Sequence, residues 1–207
     1  MARAQFELQK GRVVEVPTIT AGDLRQRRNA GQWVVSGDDF EAAWDLSTGQ
    51  LVRYTVEGHD LITEGAQVNF WRAPVDNDYG AGTPELYAEW RHPLANAEPP
   101  KHTIRAGKTG TASIVFEYTL LGGDALYTQQ FTVHAEGSIE VTNELRAVAG
   151  EAAPDLNRWG APLAEGQHSN LYRFGNRFTL DSSLTAAAWH GRGPGETTTD
   201  RNATALV

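Results

Sequence analysis

Between Asn69 and Gly82 the chain reads NFWRAPVDNDYGAG, which sets Arg72, Asp76, Asn77 and Asp78 among aromatic residues and closes them with glycines. Oxygen-bearing side chains this close together suggest a hard cation, because calcium is bound by carboxylate, amide and carbonyl oxygens. The spacing of a calcium hand does not fit. Counted from Asp76, the sixth position is Ala81 and the twelfth is Tyr87, where a glycine and a bidentate glutamate are needed. A looser oxygen cage is one remaining reading. The other is an internal ion pair, the Arg72 guanidinium forked onto Asp76 or Asp78, which would close the loop from inside. Short loops rich in Asp and Asn commonly satisfy their own backbone in this way.

A second polar stretch, WHGRGPGETTTDR, runs from Trp189 to Arg201. Gly191, Gly193 and Gly195 around Pro194 exclude a continuous strand or helix and call for a bent backbone. It is no phosphate loop, since the Gly-Lys-Ser/Thr ending is missing. Arg192, Glu196, Asp200 and Arg201 can pin the loop as an ion-pair network, or present a polar surface to a sugar or a neighbouring domain.

Other reactive residues form no local pattern. Six histidines (His59, His92, His102, His134, His168 and His190) lack metal-ligand spacing. The serines in VVSGDD and DSSLT do not resemble a nucleophile elbow. Glycosidase chemistry needs two carboxyl groups roughly 5 to 9.5 Å apart, and linear spacing reveals no such pair. Asn202-Ala203-Thr204 matches a glycosylation sequon.

The elements that must carry these loops are strands. Phe40, Ala42, Trp44 and Leu46 share one face of a run that turns at Ser47-Thr48-Gly49 into LVRYTV, a hairpin with a glycine-bearing turn. ASIVFEYTLL, LYTQQFTVHA and SIEVTNELRAV follow, rich in β-branched and aromatic residues and separated by Gly122-Gly123-Asp124 and Glu136-Gly137-Ser138. YRFGNRFTL and TAAAWHG are further extended candidates, as are AQFEL and VVEVP near the start. One helix is expected in TPELYAEWRHPL, with Thr83 as N-cap, Pro84 at the first helical position and Pro93 as the stop. The polar, basic stretch TITAGDLRQRRNAGQ reads as a connection, placing a boundary near Gly31. Regularly spaced strands with little helix predict an all-β antiparallel sandwich or barrel.

Composition agrees with a packed domain: 40% of the 207 residues are apolar and 21% charged. A net charge of −8 argues against nucleic acid or an anionic membrane as principal partner. With no cysteine, disulfides and thiolate chemistry are excluded. Neither a secretory leader nor an apolar run of membrane-spanning length is present, so a soluble, cytoplasmic protein is expected.

Taken together, the two loops are specific. FWRAPVDNDYG followed at a distance by WHGRGPGETTTDR resembles the C-terminal domain of glycoside hydrolase family 2 β-galactosidases, which carry an RAPxDND loop and a later W-x-G-x-GP-x-E-x-Y-x-DR loop. Arg72, Ala73, Pro74, Asp76, Asn77 and Asp78 match the first. Trp189, Gly191, Gly193, Pro194, Glu196, Asp200 and Arg201 match the second. YRFGNRFTL resembles the family's approach to the second loop, and ARAQFEL the last strand of the preceding immunoglobulin-like domain. Thr198 stands where the family has Tyr.

The resemblance implies a large antiparallel β-sandwich related to galactose mutarotases, a supersandwich, spanning residues 32–207 after a remnant strand and linker in 1–31. It implies a parent that hydrolyses terminal β-galactosides with retention, using glutamates in a separate (β/α)8 barrel. This chain then has no catalytic residue, metal site or cofactor of its own, the parent's Mg and Na being held in the barrel. The family domain continues past its Asp-Arg pair, whereas this sequence ends at Val207. An incomplete sandwich with uncovered edges, and self-association, are therefore expected. Arg72, Asp76, Asn77, Asp78, Trp189, Arg192, Glu196, Asp200 and Arg201 are expected to line carbohydrate or inter-domain loops. The expected partners are the remaining β-galactosidase domains and, indirectly, the galactoside. Two alternatives are a stand-alone carbohydrate-binding module stacking sugar on Trp71, Trp90 or Trp189, and an aldose 1-epimerase.

Overall fold

Strand follows strand through the chain, as the alternating pattern predicts. The computed structural model describes residues 23–107, 110–148, 151–152 and 167–186. Five strands open the described region: β1 (Arg25–Asn29), β2 (Gln32–Ser36), β3 (Phe40–Asp45), β4 (Leu51–Val56) and β5 (His59–Val68). Two short helices, α1 (Asp76–Gly80) and α2 (Thr83–Leu86), and a single 3-10 turn, Ala88–Trp90, come next. The later strands are β6 (Lys101–Ala106), β7 (Thr111–Leu120), β8 (Ala125–His134), β9 (Ile139–Ala147), β10 (Glu151–Ala152), β11 (Gln167–His168) and β12 (Asn176–Leu180). Chain contacts separate Ile19–Asp181 from a second unit made of Met1–Thr18 and Ser182–Val207. Both large sheets belong to the former. AQFEL, VVEVP and all but the first two residues of TAAAWHG lie outside the described residues.

One sheet has the order β1-β2-β3-β4-β5-β12 and the other β6-β7-β8-β9, both antiparallel throughout. Period-two alternation makes the second sheet one-sided. Ala112, Ile114, Phe116, Tyr118 and Leu120 of β7 are buried, while Glu117 and Thr119 between them are exposed. On β8 the buried set is Ala125, Tyr127, Gln129, Phe131 and Val133. The first sheet answers with Trp33, Val35, Phe40, Ala42, Trp44 and Leu51. Trp33 and Trp44 face each other across β2 and β3, and Trp44 meets Phe131 of the opposite sheet with centroids 5.4 Å apart. The core therefore lies between two inner sheet faces, the arrangement of a sandwich.

Hydrogen bonds also cross the core. Gln129 Nε2, buried in β8, donates to the Ala66 carbonyl of β5 at 3.0 Å and to Asn176 Oδ1 of β12 at 2.9 Å. Tyr118 donates its hydroxyl to the Thr48 carbonyl at 3.0 Å, in the predicted turn between β3 and β4. Gly49 in that turn has φ +76°, and a Cβ there would meet the Tyr118 hydroxyl at 1.9 Å, so the turn tolerates no larger residue.

Three expectations need correction. A single helix is expected, in TPELYAEWRHPL, yet α1 also forms at Asp76–Gly80 within the first loop, where the Asp78 carboxylate accepts the Val75 N–H at its start. Arg25–Asn29, read as part of a connection, is an edge strand with all five residues exposed, and Gly31 turns the β1–β2 hairpin. A strand bathed in solvent on both sides leaves no apolar alternation to read, and its three arginines guard an open sheet edge. Thr83 opens α2 rather than capping it. Gly82, in the left-handed region at φ +67°, holds the cap position, and the helix gives way at once to the 3-10 turn.

Apolar side chains stay open to solvent at the β12 edge of the described residues. Phe174, Phe178 and Leu180 are exposed, as is Val148 just beyond β9. Among the described residues no helix is long and apolar enough to cross a membrane.

Candidate interface loop and its anchors

The first loop leaves β5 at Asn69 and begins in the core. Phe70 is 1% exposed, stacks on Phe174 at 5.3 Å and meets Trp90 and Tyr127 edge-on. From that root the chain rises to Arg72, whose guanidinium forks onto Asp78: Nη1 lies 2.6 Å from Oδ2 and Nη2 3.0 Å from Oδ1. Asp78 Oδ2 also accepts the Val75 backbone N–H at 2.7 Å, satisfying a donor at the start of α1. A short helix can form here because Asp78 serves its N-terminus from the third helical position, one half of a capping box. The Arg72 pair, chiefly through its hydrogen bonds, holds the Asp78 carboxyl below the usual carboxylate range and raises Arg72 further.

Tyr172 supports the pair from below. The Arg72 guanidinium sits 4.7 Å from its ring centroid, and its hydroxyl lies 2.6 Å from Thr83 Oγ1. Thr83 Oγ1 also donates to the Asp78 carbonyl at 3.2 Å, which explains why this hydroxyl does not cap α2. Trp71 and Tyr87 meet the same ring edge-on at 4.9 and 4.6 Å.

The stretch carrying Tyr172 has an anchor of its own. His168 stands between two carboxylates, Nδ1 3.2 Å from Glu89 Oε2 and Nε2 3.1 Å from Asp124 Oδ2. Glu89 Oε1 accepts the Ser169 N–H at 2.6 Å and the Ser169 hydroxyl at 2.9 Å, while Trp90 Nε1 donates to the Ser169 carbonyl at 3.0 Å. The hydrogen bond to Glu89 does most to raise the His168 pKa above its ordinary 6.5. With carboxylates on both nitrogens, this ring is suited to holding a proton rather than shuttling one.

Residues 36–207 match the family model described as beta galactosidase small chain. The chain belongs to that family. The β-galactosidase of Priestia megaterium is 26% identical over 188 residues, covering 90% of this chain and 16% of that protein. The Psychromonas ingrahamii β-galactosidase is 27% identical over 201 residues, and the Kluyveromyces lactis β-galactosidase 24% identical over 203; this small chain spans 18% of each.

Within the small-chain fold, the residues singled out from sequence divide into groups. Arg72 and Asp78 come together, Asp78 being the more buried of the two. Asp76 and Asn77 stay exposed, Asp76 Oδ1 accepting the adjacent Asn77 N–H, while the Asp78 carboxylate is taken up by Arg72 and the Val75 N–H. Among the described residues no group of three His, Cys, Asp or Glu side chains is placed to hold a metal. Trp189, Arg192, Glu196, Asp200 and Arg201 lie outside the described residues. Trp90, a candidate sugar platform, is 4% exposed and belongs to the core, whereas Trp71 is half-buried at the wall of a cleft. Sequence reasoning missed Glu89, Asp124 and His168, because 79 and 44 residues separate His168 from its partners.

On its outward side the loop shows Val75 and Tyr79, 51% and 64% exposed, beside Asp76 and Asn77. A braced inner side and an apolar, aromatic outer side suit a surface that another part of a protein rests on.

Proposed function

We propose that this chain is the accessory small-chain domain of a cytoplasmic β-galactosidase and that its first loop supports a neighbouring domain at the mouth of the active site. The carrying observation is the two-sided loop: Phe70, Arg72 and Asp78 fix it from within, while Val75 and Tyr79 are offered outward. Exposed aromatic residues on a rigid support are the kind that become binding hot spots. In this reading the parent hydrolyses terminal β-galactosides, and the acid/base and nucleophile carboxylates belong to another domain. Arg72, Asp78 and Tyr172 brace the loop and transfer no proton.

Assay of the purified chain on a chromogenic β-galactoside should show no turnover above buffer. Turnover that copurifies with this chain, and not with host enzyme, overturns the proposal. In the longer enzyme, Tyr79→Ser should lower kcat/KM about tenfold, the loss of roughly 1.4 kcal/mol of interface support, with little change in melting. Unchanged kinetics would remove the loop from the interface.

A further inference from the structure

Two clefts of opposite character open on the side of the sandwich next to this loop. One, about 390 Å³, is walled by Glu89 and Glu98. The other, about 620 Å³, is lined by Trp71, Arg91, Arg177, Asn69 and Gln50, with Pro93, Leu94 and Ala95 on the apolar side. Its volume lies in the range that holds small ligands, roughly 300 to 1,000 Å³. No carboxylate is among the residues lining it, although the chain carries a net charge of −8. That inversion of sign needs a reason.

The two guanidiniums differ in how they are held. Arg177 directs Nε and Nη2 onto Gln67 Oε1, which aims its fork, and Gln67 in turn donates its amide to Glu64 behind it. Arg91 is exposed and lies against the Trp71 ring, 5.7 Å from guanidinium to centroid. Among the described residues it has no carboxylate partner. An unpaired guanidinium presents planar donors that match a carboxylate or phosphate. His92 stands beside it in the wall. Asn69 and Gln50 add amide groups that hydrogen-bond hydroxyls in either direction, and the indole adds an amphipathic wall.

We infer that this cleft is a binding subsite for an anionic sugar, with Arg91 and Arg177 on the carboxylate or phosphate, Asn69 and Gln50 on ring hydroxyls, and Trp71 as the apolar wall. The inference does not depend on the role of the first loop. A sugar acid and a sugar phosphate share this chemistry, and the experiment separates them.

The test is calorimetric titration of the intact chain at low salt with galacturonate, galactose 6-phosphate, galactose and inorganic phosphate. At least one charged sugar should bind saturably, about tenfold or more tighter than galactose or inorganic phosphate, and the preferred one identifies the anion. Arg91→Gln should weaken that binding at least about tenfold with unchanged melting, Arg91→Lys should restore part of it, and added salt should weaken it in the parent chain. The inference fails if neither charged sugar binds, or if galactose binds as tightly as both. It also fails if inorganic phosphate equals galactose 6-phosphate, or if Arg91→Gln leaves binding intact.

Discussion

Two ionic anchors hold the end of the sandwich that carries the first loop, and they differ in the cation at the centre. At Arg72 a permanently charged fork grips Asp78 across six residues of one loop. At His168 a titratable ring is gripped by Glu89 and Asp124, brought in from distant parts of the chain. The first anchor shapes the loop, and the second fixes the stretch that carries Tyr172 beneath it. Local geometry is thus given to the cation that never lets go, and long-range attachment to the one that can. Their surroundings differ as well. Arg72 keeps 39% of its side chain in water and Asp78 13%, whereas His168 keeps 22%, Glu89 24% and Asp124 39%, so the most exposed member is the cation in one anchor and a carboxylate in the other.

The strongest way to break this comparison is Glu89→Ala. The change leaves the Ser169 N–H, the Ser169 hydroxyl and His168 Nδ1 without their acceptor, in a half-buried setting. Destabilisation of about 2–3 kcal/mol is expected, a melting decrease of about 4–12 °C for a chain of this size. Glu89→Gln, which keeps an acceptor for Ser169, should lose less. If thermal unfolding of Glu89→Ala matches the parent chain, the long-range anchor carries no weight.

Asp78→Ala comes next. It strands Arg72 and the Val75 N–H, but screening of the half-exposed guanidinium limits the loss to about 1–2 kcal/mol. Limited proteolysis within residues 73–82 should accelerate more than global unfolding does, because the damage is local. Equal sensitivity of loop and core would show that the anchor is not confined to the loop.

Changing pH separates the two anchors without mutation. Because the folded state raises the His168 pKa, this contribution is complete below the unfolded value near 6.5 and is lost as pH rises through the higher folded value. Asp78 runs the other way: its lowered pKa gives stability that is present above about 3.8 and lost as pH falls through the folded value. Chemical denaturation from pH 5.5 to 8.5 should therefore show a decline in the parent chain that Glu89→Gln reduces and Asp78→Ala retains. A decline of the same size in all three would assign it to other groups.

The same contrast explains what could be read from the residues alone. Strict alternation in β7 and β8 comes from one buried face, so both strands are legible, as is the turn at Gly49. Arg72 can be narrowed to two partners because the pair closes within one loop. By contrast, β1 has no buried face and leaves no pattern. Thr83 followed by Pro84 looks like a helix start, but Tyr172, 89 residues away, engages its hydroxyl. The His168 anchor joins three remote segments and has no linear signature at all. Interactions that close locally are visible in a single sequence, whereas those made by tertiary approach are not.

The smallest expected effect concerns the outward side. Asp76 and Asn77 share one backbone contact and are otherwise exposed, so Asp76→Ala should shift the stability of this chain by no more than about 0.5 kcal/mol. The value of the variant lies in that quietness. If the loop supports a neighbouring domain, Asp76→Ala combined with Tyr79→Ser should weaken activity of the longer enzyme while this chain melts as before. Asp78→Ala should lower both together, since it removes the support as well as the surface. An outward variant that lowers stability as much as Asp78→Ala would mean that the loop has no free side, and its aromatic face would then belong to the fold rather than to a partner.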